Sequence, residues 1–461
     1  MTKNFRKITI FIVLVSMIGS LMAGCGSEPA ASSASSTIAE KTTDTASPDS
    51  VAADEKVTIS YWCIVPTQVQ WKKIEESWNK VNPNIKVEYS TNASTDEFNK
   101  KMQVAMTAGE GPDLMETSTG NLKQYAPLLE EIQPLADKNW GTGWEDIYLP
   151  GMVEGSKDKD GRLVALPLNV ESEEYVLFNK SLLDEIGVKG YDPAPKTYEE
   201  WKTLCDAIKA KGIIPVAYGG KDAWKVCDTF VFVANQFAPG KVYDAVEGKA
   251  KWTDPEFVDT MKAMKLLFDN IYQKGAVGIN TYPDARDQYF YSRKAAMFIT
   301  GNWHVGSYEV PGAEKYGTKI ENDETSAFLT PQIGPNPAKP TIGLGNLISI
   351  NKTSKNKEAA WKFFDFMTKG DGAQVMADAL QGSPSRTDKK VQSLDLITHQ
   401  AGRDSVNWLL SILPTAEGRM RLNDNSVQDA LGAAIQNVVL GKSIESELKK
   451  VQEITDKSLR K

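Results

Sequence analysis

Segments typical of strands and of helices alternate along the first part of the chain, and this alternation restricts the fold more than any other feature. β-branched and aromatic residues mark strands, whereas apolar residues at spacings of three and four mark helices. These signals predict a strand at 57–62, a helix at 71–81, a strand at 85–89 and a helix at 96–108. Because parallel strands need a crossover connection, usually a helix, this order predicts an α/β fold built on a parallel sheet.

The second part of the chain continues the alternation. Thr197 and Glu200 form a capping box, in which the threonine caps a helix and the glutamate three residues later binds back to the cap. Apolar residues then follow one helical face as far as Gly212, and 213–218 has the composition of a strand. Further helices are predicted near 357–369, 372–380, 426–440 and 444–458. No short repeat is present, which disfavours a solenoid or a propeller.

The composition disfavours several classes of function. The chain has 461 residues, of which 53 are Lys or Arg and 60 are Asp or Glu, so the net charge is −7. This acidic balance argues against partners such as nucleic acid or an anionic lipid surface. His304 and His399 are the only histidines and no CxxC pair occurs, which leaves little room for a multi-histidine metal site or a zinc ribbon. We therefore predict no metal and no cofactor.

The sequence carries no motif for catalysis. It lacks a GxSxG elbow and a Walker A loop, and Gly343-x-Gly345 lacks the rest of a dinucleotide fingerprint. Adjacent acids such as Glu173 and Glu174 would point to opposite faces of a strand, so they would not flank one glycosidic bond. Distant acids could still meet in space. The absence of any catalytic motif nevertheless predicts that the protein is not an enzyme.

The N-terminus has the organisation of an export signal. Basic residues precede an apolar run at 8–23, which is too short to span a membrane comfortably. The sequence Leu21-Met-Ala-Gly-Cys25 resembles a bacterial lipobox, in which the cysteine is lipidated; an ordinary signal peptide is the alternative. We predict a lipoprotein signal peptide at 1–24, then lipidated Cys25 and a Ser-, Thr- and Ala-rich flexible tether over 25–55. The protein would then sit on the outer face of the cytoplasmic membrane of a bacterium, with a Gram-positive source favoured.

The remaining cysteines give little evidence of a disulfide framework. With Cys25 lipidated, Cys63, Cys205 and Cys227 are left, and an odd number does not pair completely. A bridge between Cys205 and Cys227 stays open, but buried free thiols are the favoured interpretation.

Several short segments, taken in order, resemble a known family. They are 109–114 (GEGPDL), 166–167 (LP), 178–187 (FNKSLLDEIG), 195–201 (PKTYEEW), 294–303 (KAAMFITGNW), 357–364 (KEAAWKFF) and the helix that follows Gly441-Lys442. Together they resemble extracellular solute-binding protein family 1, the sugar receptors of ABC importers, over essentially all of 56–461. The resemblance implies a type II periplasmic-binding-protein-like fold, with two α/β lobes joined by a hinge of crossing segments.

The resemblance also implies where the lobes divide. The first lobe would contain 56–167 plus 329–368, and the second would contain 168–328 plus 369–461. The chain would cross between them near Pro167, near Phe328–Thr330 and near Thr368. A ligand would sit between the lobes, which would close on it by a hinge motion.

A sugar needs flat aromatic surfaces for its C–H faces and planar polar groups for its hydroxyls. Trp303 follows a strand where the family places a stacking aromatic, Trp224 lies in a loop after another strand, and Trp62 ends the first strand. A core role is the alternative for each. Polar candidates beyond strand ends or at the crossings are Gln68, Ser118, Thr119, Asn169, Glu171, Asn346, Arg386 and Asp424. For each of these a solvated or capping role stays open.

These features predict a lipid-anchored solute-binding protein that captures a mono- or oligosaccharide and delivers it to the transmembrane subunits of an ABC permease. We expect a monomer that meets the membrane through its lipid anchor only and binds no nucleic acid. One alternative is the same scaffold with a non-sugar solute. The other is a secreted carbohydrate-active enzyme. Few basic residues lie in the candidate loops, which disfavours strongly anionic ligands.

Overall fold

The computed structural model describes residues 56–91, 95–306, 320–379, 383–422 and 424–460, and within these ranges the side chains of 95–97, 119–120, 123, 282–283 and 379 are not described. The predicted signal peptide, Cys25 and the tether lie outside the described residues. In the described part of the chain, no helix combines the length and the apolar character needed to cross a membrane.

Strands and helices alternate as the sequence predicts. The strands are β1 Val57–Cys63, β2 Ile85–Thr91, β3 Leu114–Thr117, β4 Leu166–Pro167, β5 Val170–Glu171, β6 Tyr175–Asn179, β7 Ile214–Ala217, β8 Ala295–Thr300, β9 Thr325–Leu329, β10 Gly343–Leu344 and β11 Leu347–Ile350. The helices are α1 Gln68–Val81, α2 Thr95–Ala108, α3 Thr119–Tyr125, α4 Gln133–Trp140, α5 Lys180–Glu185, α6 Tyr198–Lys209, α7 Ala223–Phe237, α8 Lys241–Val246, α9 Pro255–Asn270, α10 Lys357–Thr368, α11 Asp371–Ala379, α12 Gln400–Ile412, α13 Asn425–Val439 and α14 Ile444–Ser458. Short 3-10 turns and a π-helical segment, Thr281–Tyr291, lie between them.

The first sheet has the strand order β2-β1-β3-β11-β4. β1 pairs in parallel with β2 and β3, as predicted, but β11 runs antiparallel to both β3 and β4, so the sheet is mixed. The inward side chains of β1, Ile59, Tyr61 and Cys63, are fully buried. They pack with Trp71 and Trp78 of α1 in the core of this lobe, which places the helical face predicted around Trp71 against the sheet.

The second sheet has the strand order β7-β8-β6-β9. β7 and β8 are parallel, and β6 runs antiparallel to β8 and β9. The capping box predicts the start of α6 correctly, because Glu200 N donates to Thr197 Oγ1 at 3.3 Å and Thr197 N donates to Glu200 Oε2 at 3.1 Å. Trp201 at the first turn of α6 is fully buried in the core of this lobe.

Two connections between the sheets run close together. β4 ends beside Leu347 in the first sheet, and residues 168–174 lead from it to Tyr175, which pairs with Thr300 in the second sheet. The return passes from β9 through β10 to β11, and β10 pairs antiparallel with β5 midway between the sheets. The crossing segments therefore form a small ladder of their own.

Helix α11 packs with the first sheet's helices. It lies against α1 and α10, although the boundary expected at Thr368 would assign it to the second lobe. After it, an isolated bridge between Asn169 and Pro384 brings the chain back to the crossing segments. Helices α13 and α14 then pack with α7 and α9 on the second sheet's side.

Candidate functional site

The ends of strands from both sheets adjoin the crossing segments. In α/β proteins ligands bind beyond such strand ends. Trp62 and Trp303 lie at or directly after strand ends, Trp224 lies in the first turn of the helix that follows β7, and all three are partly exposed, whereas Trp78, Trp201 and Trp252 of the two cores are fully buried. This region is therefore the candidate site.

Trp303 lies in the 3-10 turn Asn302–His304, directly after β8. Its ring folds over Gly301, since a Cβ added at position 301 would lie 2.1 Å from the ring atom Cζ3. Asn302 ties this turn to the first crossing, because its Nδ2 donates to Val170 O at 3.0 Å and its Oδ1 accepts from Ser172 N at 3.2 Å. The tryptophan is thus held beside the crossing segments by Asn302, the residue that precedes it.

Trp224 lies in the first turn of α7, not in the loop expected from the sequence. The guanidinium carbon of Arg421 lies 5.7 Å from the centroid of its ring. Arg421 also pairs with Glu171, with Nη1 3.2 Å from Oε2, and the two side chains are 27% and 13% exposed. An aromatic ring, a guanidinium and a carboxylate are therefore grouped at one partly accessible place.

A fully buried ion network lies behind this group. Lys225 Nζ is 2.8 Å from Glu173 Oε1 and 2.8 Å from Glu174 Oε1, and Thr229 Oγ1 donates to Glu174 Oε1 at 2.7 Å. The expectation that Glu173 and Glu174 point apart is wrong, because Glu174 has a φ of 72° and is not extended. The left-handed backbone at Glu174 breaks the alternation expected of a strand, and both carboxylates lie 2.8 Å from one ammonium group.

Asp228 joins the buried network to Arg421. Its Oδ2 accepts from Arg421 Nε at 3.0 Å, and the side chain is fully buried. Burial raises the pKa of Asp228 well above its usual range, although Arg421 opposes this effect. Burial likewise raises the pKa of Glu171 and Glu174, against the opposing influence of Arg421 and Lys225 respectively. The network therefore favours partial neutralisation of its acids.

On the side of the first sheet, the carboxyl group of Glu116 is buried. Its Oε2 accepts from the backbone N–H groups of Ile64 and Val65 at 2.7 and 2.8 Å, which fixes the loop that follows β1. Burial raises its pKa to about 8, and Glu171 across the crossing adds to the rise, against the two backbone hydrogen bonds. Glu116 thus holds the first loop next to the candidate site.

Trp62, at the end of β1, is partly covered. Lys101 Nζ lies 4.0 Å from the centroid of its ring, and the ring packs beside the cluster of α2 residues that includes Met102. Less of this ring is therefore open to a ligand than its place in the sequence suggests.

Asn169 and Asn346 hold the crossing segments together. Asn169 Oδ1 accepts from Asn346 N at 2.8 Å, and Leu168 N donates to Asn346 O at 2.8 Å. Gly345 allows this approach, because a Cβ there would lie 2.3 Å from Asn169 Oδ1. Gly345 therefore gives the clearance that lets the Asn169 side chain approach the backbone.

Arg386 and Asp424 make hydrogen bonds to backbone groups at the ends of helices. Arg386 Nη1 donates to the carbonyls of Thr368 and Lys369 at 3.0 and 2.8 Å, and its guanidinium pairs with Asp388. Asp424 Oδ1 caps α13 by accepting from the backbone N–H groups at positions 426 and 427. Both side chains are occupied at structural positions, so we leave them out of the proposed ligand contacts.

The remaining polar candidates lie near the first sheet. Gln68 is exposed at the start of α1. Ser118 is exposed and caps α3, accepting from Asn121 N at 3.4 Å. The side chain of Thr119 lies outside the described residues.

Sequence reasoning missed the residues that organise the site through distant contacts. Arg421, Lys225, Asp228 and Glu116 are such residues, and Arg421 contacts an acid 193 positions earlier in the chain. The signal that was available is a charged residue inside an otherwise apolar helix: Lys225 and Asp228 interrupt the apolar run of α7. Within the described residues, no group of three or more His, Cys, Asp or Glu side chains is arranged to hold a metal ion.

Comparison with known sequences identifies a family. The sequence model of the bacterial extracellular solute-binding protein family matches residues 67–374. A probable sugar-binding periplasmic protein of Brucella suis is 28% identical over 218 residues, which are 45% of this chain and 47% of that protein. The chain thus spans about half the length of the first curated relatives that it matches.

Solved structures share the fold across nearly their full length. Maltose-bound MalE3 of T. maritima has 23% identity and a TM-score of 0.67, with 87% of this chain and 100% of that chain covered. A substrate-binding protein of Listeria monocytogenes in complex with cycloalternan has 18% identity and a TM-score of 0.68, with 88% and 100% covered. The two-lobed α/β fold predicted from the sequence is therefore confirmed, and the chain belongs to the bacterial extracellular solute-binding protein family.

Proposed function

We propose that the protein captures a carbohydrate between its two lobes and passes it to an ABC importer. The observation that carries this proposal is the partly exposed Trp303, which follows β8 beside the crossing segments and folds over Gly301, together with the partly exposed Trp224 against Arg421. Indole rings match the apolar faces of a sugar ring, and planar charged groups match its hydroxyls. The relatives named above as sugar-binding, and the neighbours solved with maltose and cycloalternan, support the same ligand class.

In this proposal Trp303 and Trp224 stack on the ligand, while Glu171 accepts hydrogen bonds from its hydroxyl groups and Arg421 donates hydrogen bonds to them. Trp62, Gln68, Ser118 and Thr119 would contribute from the first lobe, and Asn169 and Asn346 from the crossing segments. The lobes would close around the ligand by a hinge at those segments. Closure follows binding only to the extent that the ligand favours the closed state over the open one.

We further propose that the protein acts as a monomeric receptor without catalytic turnover, held at the outer face of the cytoplasmic membrane by lipidated Cys25. Replacing Cys25 by serine tests the anchor. The protein should move from the membrane fraction of its host to the medium, and it should lose incorporation of a labelled fatty acid. Retention of the label by the variant would disprove lipidation at Cys25.

The ligand class is tested by thermal-shift measurements on residues 56–461 with a panel of mono- and oligosaccharides, followed by titration calorimetry of each hit. A ligand that binds the native state stabilises it by mass action, so the melting temperature should rise with its concentration. Chromatography of the incubated sugars measures turnover in the same samples. No shift with any sugar, from a well-folded sample, would contradict the carbohydrate proposal; release of smaller products would contradict a purely binding role.

A further inference from the structure

The buried network behind Trp224 contains more acids than bases. Four acids surround two bases: Glu173, Glu174 and Asp228 are fully buried with Lys225, and the partly exposed Glu171 and Arg421 adjoin them, each ion pair using one oxygen of its carboxylate. With every group ionised, two negative charges would be left without a counter-ion. An isolated buried charge is costly enough that a group in this position is neutralised instead.

Two of the unused oxygens belong to neighbouring carboxyl groups. Glu173 Oε2 and Asp228 Oδ1 are both buried, and neither receives a hydrogen bond. Glu173 and Asp228 are nevertheless within hydrogen-bonding reach of each other. Two carboxylates cannot hydrogen-bond, because both only accept. One proton placed between them would satisfy both oxygens and remove one of the two excess charges.

We propose that the carboxyl group of Asp228 carries a proton at neutral pH and donates it in a hydrogen bond to Glu173, so that the two side chains form a proton-binding site. Burial and the neighbouring acid both favour the neutral form of Asp228, in agreement with the direction of its pKa. The charged and titratable groups packed around the pair come from six segments: Glu171 of β5, Glu174 before β6, Tyr218 after β7, Lys225 and Cys227 of α7, Tyr272 after α9 and Arg421 before α13.

This proton has a consequence for the candidate site, and that consequence rests on the proposed function. Asp228 binds Arg421, which in turn contacts Glu171 and lies over Trp224. Loss of the shared proton at alkaline pH would place two repelling carboxylates behind Arg421 and disturb its position. Affinity for the ligand should then fall as the pH rises.

The proton itself is tested without ligand. A carboxyl group that is neutral in the native state and ionised in the unfolded state releases its proton on unfolding. Calorimetric unfolding of residues 56–461 near pH 7, in buffers with different ionisation enthalpies, counts the protons released. In the Asp228→Asn variant an amide N–H takes the place of the shared proton and still donates to Glu173, so the count should fall by about one.

Two further variants keep the test decisive. Glu173→Gln should give the same decrease of about one proton, because the new amide N–H can donate to Asp228 and take the place of the shared proton. Asp259→Asn changes an exposed acid of α9 that pairs with Lys262, and it should leave the count unchanged. Equal counts for the wild type and for both network variants would overturn the proposal, since the pair would then be ionised in the native state.

Titration of a sugar hit at several pH values separates the existence of the proton-binding site from its effect on ligand affinity. If Asp228→Asn lowers the proton count and also flattens the pH dependence of affinity, both statements hold. A lowered count with an unchanged pH dependence of affinity keeps the proton site but removes its link to the proposed ligand site.

Discussion

The two lobes bury acidic side chains beside the same crossing segments, but they stabilise them differently. In the first lobe Glu116 accepts two backbone hydrogen bonds from the loop after β1. In the second lobe Glu173 and Glu174 share one cation, the ammonium group of Lys225, and Thr229 adds a hydrogen bond to Glu174. Backbone donors stay in place unless proline is introduced, whereas a side-chain cation is removed by any substitution to a neutral residue. The second lobe should therefore be the more sensitive to single substitutions.

The largest effect that this comparison predicts is the loss of stability when Lys225 is substituted. Lys225→Met keeps the length of the side chain but leaves two buried carboxylates without their cation. Removing one partner of a buried ion pair costs about 3–5 kcal/mol of unfolding free energy. Denaturant unfolding at pH 7 measures this loss. Lys202→Met is the matched control, because Lys202 pairs with Asp206 on an exposed helix face, where a pair contributes about 0–1 kcal/mol.

Lys225→Met should also become less stable, relative to the wild type, as the pH rises, because the two carboxylates can then no longer remain protonated. A loss of unfolding free energy equal to that of the Lys202 control would contradict the contrast between the lobes. The acids would then be neutral without help from Lys225.

The next largest effect is the pH dependence of the unfolding free energy that Glu116 causes. Its pKa in the native state is about 8, above the value of about 4.3 in an unfolded chain, so the native state favours the neutral acid. This contribution to stability is complete below about pH 4 and is lost as the pH rises toward 8. Between about pH 5 and 7, the wild type should lose roughly 1 kcal/mol per pH unit relative to Glu116→Gln.

Urea unfolding at each pH measures the difference for Glu116. The control is Glu130→Gln, because Glu130 is an acid of the same lobe that pairs with Lys357 near the surface. A difference between the wild type and Glu116→Gln that stays constant with pH would show that the two backbone hydrogen bonds outweigh burial.

Substitution of ligand-contacting residues should also have a larger effect in the second lobe than in the first. Trp303→Ala should lower sugar affinity at least tenfold, about 1.4 kcal/mol, with little change in unfolding free energy. Trp62→Ala should have a smaller effect, because Lys101 already lies against its ring. Titration calorimetry with a sugar hit compares them, and Trp361→Ala, on α10 against Trp140, is the control. Unchanged affinity in Trp303→Ala would remove Trp303 from the proposed site.

The smallest effect should come from Gly301→Ala. The added Cβ would push the Trp303 ring from its place without removing it, so affinity should fall a few-fold, below about 1 kcal/mol. Gly278→Ala is the control, because no atom lies within 4 Å of its added Cβ. Equal affinities for the two variants would mean that the position of the Trp303 ring is not important for binding.

Local patterns allowed much of the fold to be predicted. The strand expected at 57–62 is observed at Val57–Cys63, and the helix expected at 96–108 is observed at Thr95–Ala108. The capping box at Thr197 locates a helix start because its hydrogen bonds join residues three positions apart. Helices α7, α9 and α12 were not predicted. The antiparallel pairing of β11 was not predicted either, because sheet order depends on contacts between distant segments.

The candidate site was harder to predict for the same reason. Trp303 follows a strand, so its position could be read from the neighbouring residues. The pairing of Arg421 with Asp228 and Glu171 depends on the packing of elements that are about 200 residues apart or more. The positive φ of Glu174 is equally invisible in the sequence, because glutamate rarely adopts it without tertiary support.

The buried cysteines have a practical consequence for spectroscopy. Cys63, Cys205 and Cys227 are free and buried, and burial raises the pKa of each thiol, so little reactive thiolate is present at neutral pH. A single cysteine introduced on each lobe, at exposed Glu110 and exposed Glu247, would then be the site of thiol-directed labelling without removal of the native residues. Paired spin labels or fluorophores at those two positions would report the distance between the lobes with and without sugar.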